Sequence, residues 1–385
     1  MSLQVSNHKI KIMFLLDAIE TDKAGTEGQL LKIISRLDKE KYECYLGCFG
    51  NTAWLRTRDL SINIFVIGTQ SFHNPKMYFG LVKYIKYLRS NNIDIVHAFF
   101  PTSITIGVLL SRLAGVKHII SSRRDMGFWL TPFLKFLLRL SNKVVDSFLV
   151  NSEEVKKKVY KEEKVCIDKI DVIYNGIEEP VFDRQKTAEN MRAKLAIPRS
   201  FFVVGTVANL NRHVKRIDLF IDSAKCILSK IKNVIFIIIG DGHLKKEYEE
   251  RSRDLGISDK IFFLGSISNV YEYISIFNVA VNCSDSEGFS NAVLEYLAMG
   301  IPTVATNVGS NAEIIRHLQN GFLVKPGSLR EMAEAIIKIL RDERLRKSLS
   351  LRAREYSKMF STESMISNYE KYYENIIGFS RKYGK

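Results

Sequence analysis

Proline is scarce in this 385-residue chain, with seven residues, and cysteine is scarcer, with five. So few prolines exclude a collagen-like or polyproline protein, and a hydrophobic content of 46% excludes a disordered one. The cysteines, Cys44, Cys48, Cys166, Cys226 and Cys283, are odd in number and lack metal-ligand spacing. They read as free thiols of a reducing cytoplasm. No apolar run approaches the roughly 18 residues needed to span a bilayer. The longest block is Val234 to Gly240, so an integral membrane protein is not expected. The opening MSLQVSNHKIKI has no uninterrupted apolar stretch, and no secretion signal is expected. The expected place is cytoplasmic, with peripheral attachment to the inner face of the membrane as an option.

Acidic residues are nearly missing from one long stretch. Between Lys76 and Lys143 eleven Lys and Arg face only Asp94 and Asp125, a local balance of +9 within a net charge of +15. Such a patch suits an anionic partner: nucleic acid, a phosphate-bearing substrate or anionic lipid. A solvated basic face is the plain alternative. Apolar residues interleave these cations, which favours a membrane surface over nucleic acid.

At this length one ordinary core does not suffice, and two domains are expected. Short apolar runs alternate with amphipathic stretches of helical length, the pattern of parallel strands joined by helices. In the first half the strands are expected at 10–16, 43–48, 63–66, 93–98, 118–122, 147–150 and 169–173. The pattern restarts with 201–207, 234–240, 261–264, 279–282, 302–306 and 321–324. The fold class is therefore α/β, two doubly wound parallel-sheet units, with residues 1–178 and 179–360 as domains. The switch falls near Asn175-Gly176, a turn dipeptide followed by acids and Pro180. Residues 361–385 form a closing helix. In open α/β sheets ligands bind beyond the carboxyl ends of strands, so chemistry is expected on the loops there, in a cleft between two facing units.

The most informative segment runs from Ser284 through Glu287, Gly288, Phe289, Ser290, Asn291 and Glu295 to Pro302. Ser290 or Asn291 suits an N-cap, and Ala292 to Met299 favour a helix. The N–H groups of Phe289 to Asn291 then offer a phosphate site at a helix N-terminus. Glu287 on the loop can hold sugar hydroxyls, and Glu295 one turn inside the helix can hold a ribose diol. A capped helix carrying two solvated glutamates explains the same spacing. A second segment, Val207 to Asp218, holds Arg212, Lys215 and Arg216, three cations able to neutralise a diphosphate. Gly240, Asp241 and Gly242 end a strand in a turn that permits close backbone approach by a nucleotide. Gly25 and Gly28 open a helix after the first strand, but no GxGxxG fingerprint is present, which argues against an NAD enzyme.

Together these segments resemble the retaining nucleotide-sugar glycosyltransferases of the group one family, numbered four among glycosyltransferase families, whose fold is called GT-B. The carriers are the E-x7-E pair Glu287 and Glu295 within EGFSNAVLE, the AMGIPTVAT run, VGSNAEII around Glu313, IGDG at 239–242 and the loop VANLNRHVKR. GTEG at Gly25 is similar to the first-domain glycine loop, IDIVHAFF to the strand that carries His97, and IYNGI to the hinge between domains. Asn209 occupies the family's arginine place. Arg123 in SSRRDMGF stands where many members have histidine, which implies a more positive acceptor site.

The resemblance implies two facing Rossmann-like domains, the first for the acceptor, the second for the donor, and a C-terminal helix that closes back on the first. It implies a metal-independent retaining transfer from a nucleoside-diphosphate sugar, a co-substrate rather than a cofactor, to an acceptor hydroxyl of a glycan or lipid-linked glycan. Glu287, Lys215 and Arg212 are then catalytic. Gly25, Asn209, Gly240, Asp241, Gly242, Gly288, Phe289, Ser290, Asn291 and Glu295 bind the donor, while His97, Arg123 and Arg124 lie on the acceptor side. Nothing implies a metal ligand set or nucleic-acid binding. An epimerase or phosphorylase of similar fold, and a non-catalytic two-lobed sugar-binding protein, are the rival readings. Finally, residues 128–143 read as an interfacial helix starting at Thr131-Pro132. Its cations Lys135, Arg139 and Lys143 recur every four residues, with Phe128 and Trp129 at the entrance. A core helix with a cationic outer edge is the alternative.

Overall fold

The computed structural model describes residues 9–383 except 22–24, 59, 69–74 and 128. Chain contacts divide it into two compact units, Met1–Asn175 with Glu363–Lys385, and Gly176–Thr362. Each unit is a fully parallel sheet with helices on both faces.

In the first unit the strands are β1 (Ile10–Leu16), β2 (Tyr42–Gly50), β3 (Asn63–Gly68), β4 (Ile95–Ala98), β5 (His118–Arg123), β6 (Ser147–Val150) and β7 (Ile170–Val172), in the order β3-β2-β1-β4-β5-β6-β7. The second unit contains β8 (Phe202–Val207), β9 (Val234–Ile239), β10 (Ile261–Phe263), β11 (Val279–Asn282), β12 (Thr303–Thr306) and β13 (Gly321–Val324), in the order β10-β9-β8-β11-β12-β13. All thirteen expected strands are present. Their ends differ for local reasons. β12 starts after Pro302, which has no N–H to give the ladder. β4 starts after Asp94, whose carboxylate accepts from Lys11 N (2.9 Å). β9 stops at Ile239 because Gly240 has φ +136° and lies against Ala208, whose carbonyl oxygen a Cβ would meet at 1.8 Å.

Continuous apolar runs suit these strands because helices cover both faces of each sheet. Every residue of β9, VIFIII, is buried. In the second unit one core layer gathers Val204, Phe220, Phe236, Val281 and Ile336, and the other Val203, Ile237, Phe277, Tyr296 and Ile301. In the first unit one layer holds Met13, Phe49, Tyr84, Val96 and Phe148. The opposite layer is completed by the C-terminal helix, Thr362–Tyr383, whose Met365, Ile366, Tyr369, Tyr372 and Tyr373 recur at helical spacing and bury against Phe14, Leu46 and Ile120. Tyr42 donates to Glu370 O (3.2 Å) and Lys41 pairs with Glu374 (3.0 Å), so the helix is anchored at its rim as well. The GT-B class expected from the sequence, with its C-terminal helix packed on the first domain, is the observed one.

The fully buried Tyr373 touches Phe14 and Tyr42 edge-on and reaches His97 through its hydroxyl. Tyr373→Ala is expected to destabilise the first unit by about 3–5 kcal/mol, the range for deleting a buried ring. Both tryptophans, Trp54 and Trp129, belong to that unit, so urea unfolding followed by tryptophan fluorescence reads it directly. A midpoint equal to wild type would contradict this account of the helix as part of the core.

Candidate active site

The second unit assembles its polar loops at one sheet edge. The loops after β8, β9, β11 and β12 come from neighbouring strands, and strand order reverses between β8 and β11, the position where open α/β sheets leave a crevice. Backbone hydrogen bonds tie the loops together: Leu210 N to Asp241 O (3.0 Å), Leu244 N to Leu210 O (3.1 Å) and Asp285 N to Val214 O (2.8 Å). Gly309 is required by its neighbour, since with φ +49° a Cβ there would lie 1.8 Å from Glu287 O. The loop after β12 thus presses directly on the loop that bears Glu287.

Glu287 is 8% exposed, and its Oε1 accepts from Lys215 Nζ (2.7 Å), Ser284 Oγ (2.6 Å) and Asn282 Nδ2 (3.2 Å). Burial alone would push its carboxyl up. The Lys215 charge and the hydrogen bonds from Lys215, Ser284 and Asn282 outweigh burial and hold it below the ordinary range. A charged carboxylate is therefore presented at the loop, paired with a partly exposed lysine. Lys215 stands in the short turn His213–Lys215, and Arg216 follows in left-handed backbone, φ +49°. Arg216 is committed elsewhere: it is bidentate to Asp218 and pairs with Asp285 (3.2 Å). Of the three cations expected to meet a diphosphate, Arg216 is thus held by two carboxylates.

The helix Asn291–Ala298 begins as expected, with Ser290 as N-cap accepting from Val293 N (3.4 Å). Phe289 is buried against the Phe360 ring, and Gly288 and Asn291 are half-buried. Glu295 lies half-buried one turn in, close enough to Tyr271 to help burial push that phenol up. On the loop after β8, Asn209 is exposed and accepts from Asn211 N (2.8 Å), a self-contained turn. Arg212 is exposed three residues on. Beside them Asp241 accepts from Gly242 N (2.8 Å). The second unit thus gathers Asn209, Arg212, Lys215, Gly240, Asp241, Gly242, Glu287, Gly288, Phe289, Ser290, Asn291 and Glu295 on loops and one helix start at a single sheet edge.

Sequence reasoning missed the supports of Glu287: Asn282, Ser284, Thr306 and Asn311. Thr306 donates to Ser284 O (2.5 Å), and Asn311 donates to Asn282 Oδ1 (3.1 Å). The polar Asn282 closing the otherwise apolar run VAVN was the available signal.

Gly25, His97, Arg123 and Arg124 belong to the first unit. Gly25 starts the helix Gly25–Arg36 after β1. A pocket of about 250 Å³ lies beyond the carboxyl ends of β4 and β5, lined by Thr26, Phe99, Phe100, Arg124 and Trp129 among others. Two of the three acceptor-side candidates are buried. His97 is fully buried, with Nδ1 at 2.9 Å from Tyr373 Oη and Nε2 at 2.7 Å from Ser122 Oγ. Burial, helped by the Arg124 charge, drops its pKa well below the usual value, so it stays neutral. Arg123, 5% exposed, spends all its donors: Nε and Nη2 on Glu163 (2.9 Å each), Nη2 also on Asn142, and Nη1 on Ser121 and Ser122 O. It answers a buried glutamate with its donors while also lining the pocket beyond β4 and β5. Arg124 is half-buried and donates to Asn175 and to Tyr369 Oη (3.2 Å).

Residues 128–143 also differ from expectation, Phe128 lying outside the described residues. Thr131 caps the helix Pro132–Ser141 as expected. Its cations, however, turn sideways: Lys135 pairs with Glu162 (3.3 Å) and Arg139 donates to Glu162 O (3.3 Å). The outward face carries Phe133, Phe136 and Leu140, 67%, 59% and 41% exposed. The outer face is thus apolar at Phe133, Phe136 and Leu140 while Arg139 and Lys143 stay exposed beside it, and the Glu162 carboxylate draws only Lys135 to its side. Among the described residues no helix is long and apolar enough to cross a membrane.

The family model for glycosyl transferases group 1 matches residues 187–356, and that for glycosyltransferase family 4 matches residues 24–179. The chain is 26% identical over 301 residues to the N-acetyl-alpha-D-glucosaminyl L-malate synthase of Bacillus anthracis, covering 77% of this chain and 78% of that protein. It is 24% identical over 332 residues to the Escherichia coli UDP-Gal:alpha-D-GlcNAc-diphosphoundecaprenol alpha-1,3-galactosyltransferase, covering 83% and 86%. Among solved structures, Anabaena Alr3699/HepE in complex with UDP superposes with a TM-score of 0.82 at 20% identity, covering 95% of this chain and 100% of that one. With the two models matching one unit each and the paired glutamate and lysine in place, the chain belongs to the group 1, family 4 glycosyltransferases and is an enzyme of glycosyl transfer.

Proposed function

We propose that this enzyme is a retaining glycosyltransferase that moves a sugar from a uridine-diphosphate sugar to a hydroxyl of a lipid-linked saccharide in cell-envelope glycan synthesis. The Lys215–Glu287 pair carries the reading, because it puts a buried carboxylate and a partly exposed cation together beside a capped helix start. The donor diphosphate takes over Lys215 from Glu287, with Arg212 as the second cation on the same loop. Glu287, freed of its lysine, binds hydroxyls of the donor sugar, and Glu295 holds the ribose. The bond from C1 to the diphosphate oxygen breaks on the face where the acceptor oxygen arrives. The departing phosphate oxygen takes the acceptor proton, so no protein nucleophile is needed. Lys215 offsets charge on the leaving group, the task that a metal ion performs elsewhere.

The UDP in the Anabaena structure and the lipid-diphosphate sugar in the name of the Escherichia coli relative supply the choice of donor and acceptor class. The aromatic-walled pocket of the first unit is the proposed acceptor site, with Arg124 as its cation. Attachment to anionic lipid suits the exposed apolar side chains of that unit. Besides Phe133, Phe136 and Leu140, it exposes Tyr78, Phe79 and Val82 on the helix Pro75–Ser90, and Leu113 on the helix Val108–Leu113. These helices carry no acid and are neighbours through packing of Pro75–Ser90 on Val108–Leu113. Apolar side chains then enter the lipid interface, and the surrounding Lys and Arg meet its anionic headgroups.

Lys215→Ala is expected to lower kcat at least about a hundredfold, the scale for removing one well-placed electrostatic stabiliser. Treatment of wild type with EDTA is expected to change nothing, whereas activity lost to the chelator and restored by a divalent metal would refute the metal-free reading. Glu287→Ala is expected chiefly to reduce turnover, and Glu295→Ala chiefly to raise the Kd for UDP. Steady-state kinetics and calorimetry check this, and wild-type behaviour in both variants would leave only a capped helix with two glutamates. In vesicle sedimentation, Phe133→Ser/Phe136→Ser is expected to abolish binding to anionic liposomes, with Lys135→Glu/Arg139→Glu having the smaller effect. Equal partitioning of wild type and the phenylalanine double variant would exclude the lipid reading.

A further inference from the structure

Behind Glu287 lies a chain of buried polar side chains that the transfer chemistry does not touch. Asn311, fully buried in the loop after β12, donates from Nδ2 to Asn282 Oδ1 (3.1 Å) and to Thr306 O (3.0 Å). Asn282, 7% exposed at the end of β11, donates from its own Nδ2 to Glu287 Oε1 (3.2 Å) and to Ser290 Oγ (3.4 Å). The Thr306 carbonyl can only accept, so the Asn311 amide must point its hydrogens that way and toward Asn282. That in turn forces the oxygen of Asn282 toward Asn311 and its NH2 toward Glu287. Were Asn282 reversed, it would present an oxygen to the carboxylate. Asn311 Oδ1 is meanwhile buried without a protein partner, so the side chain is held through its two donated hydrogen bonds.

We infer that Asn282 and Asn311 are positioning residues for Glu287: Asn311 fixes the orientation of the Asn282 amide, and Asn282 fixes the carboxylate and the N-cap serine of the adjoining helix in one register. The pair also helps to keep the carboxylate ionised when a ligand draws Lys215 away, because the amide hydrogen bond remains. The inference rests on the role proposed above for Glu287 in transfer, although the relay itself lies wholly within the second unit and does not depend on which substrate binds.

The test uses the full chain with Asn311→Ala, Asn282→Ala and the double substitution. Each single change is expected to lower kcat by about tenfold to a hundredfold, the rate equivalent of one lost hydrogen bond to a charged group, with KM for the donor nearly unchanged. Because Asn311 acts through Asn282, the double variant is expected to match Asn282→Ala, not the product of the two losses. The acid limb of the pH profile is expected to move to higher pH, since the ionised form of Glu287 loses a donor. A substrate-free readout is the carbon-13 carboxyl resonance of Glu287, assigned by its loss in Glu287→Gln. Its titration midpoint is expected to rise in both single variants. Should the wild type transfer sugar from no nucleotide donor, the functional reading fails while this titration still decides the relay. If an alanine variant does not fold, the nearly isosteric Asn311→Leu replaces it. Leucine carries no hydrogen-bonding group and no charge, so it leaves the Asn282 amide unheld and is expected to produce the same rise. Multiplicative losses in the double variant, or an unmoved Glu287 titration in folded variants, would overturn the inference.

Discussion

A carboxylate buried to 8% exposure cannot stand without compensation, and the arrangement of the second unit follows from that constraint at Glu287. Its compensation arrives from four directions: Lys215 from the loop after β8, Ser284 from its own loop, Asn282 from β11, and through Asn282 the Asn311 of the loop after β12. Each donor pins a loop that would otherwise be loosely held at the sheet edge. Gly309 completes the arrangement, because only a residue without a side chain lets the last loop lie against the Glu287 carbonyl. The buried charge is therefore also what draws these loops together.

The first unit applies the same physics to a different end. Glu163 is buried and answered by Arg123 through two parallel hydrogen bonds, with Asn142 as a further donor. His97 is kept neutral between Ser122 and Tyr373, so its ring joins strand β4 to the C-terminal helix. Both had the residue types of a site, and both are saturated by their neighbours. What remains open in that unit is the pocket beyond β4 and β5, with its aromatic walls, and an outward face that exposes Phe133, Phe136 and Leu140.

Much was legible in the residues alone. All thirteen strands follow from apolar runs too long and too continuous for one-sided sheets, and the closing helix follows from tyrosines and aliphatics at helical spacing. Ser290 as cap, the glycine turn before it and the glutamates eight positions apart were readable because capping and turn chemistry are local. The roles of Arg123, Arg216 and Lys135 were not readable. Their partners Glu163, Asp285 and Glu162 stand 40, 69 and 27 positions away, and no sequence spacing reveals which acid a cation meets.

The sequence by itself determined the parallel α/β class, the strand sequence and the glycine and capping signals of the loops after the strands. Each of these rests on periodicity, backbone propensity or a motif within a few residues. Only the tertiary structure decided which charges are spent and which are presented. It buried His97 and Arg123, locked Arg216 between two aspartates, turned the helix Pro132–Ser141 with its phenylalanines outward, and placed Asn311 behind Asn282. The reason is that the ionisation and orientation of a polar side chain depend on burial and on partners brought close by folding, and both are properties of the packed chain.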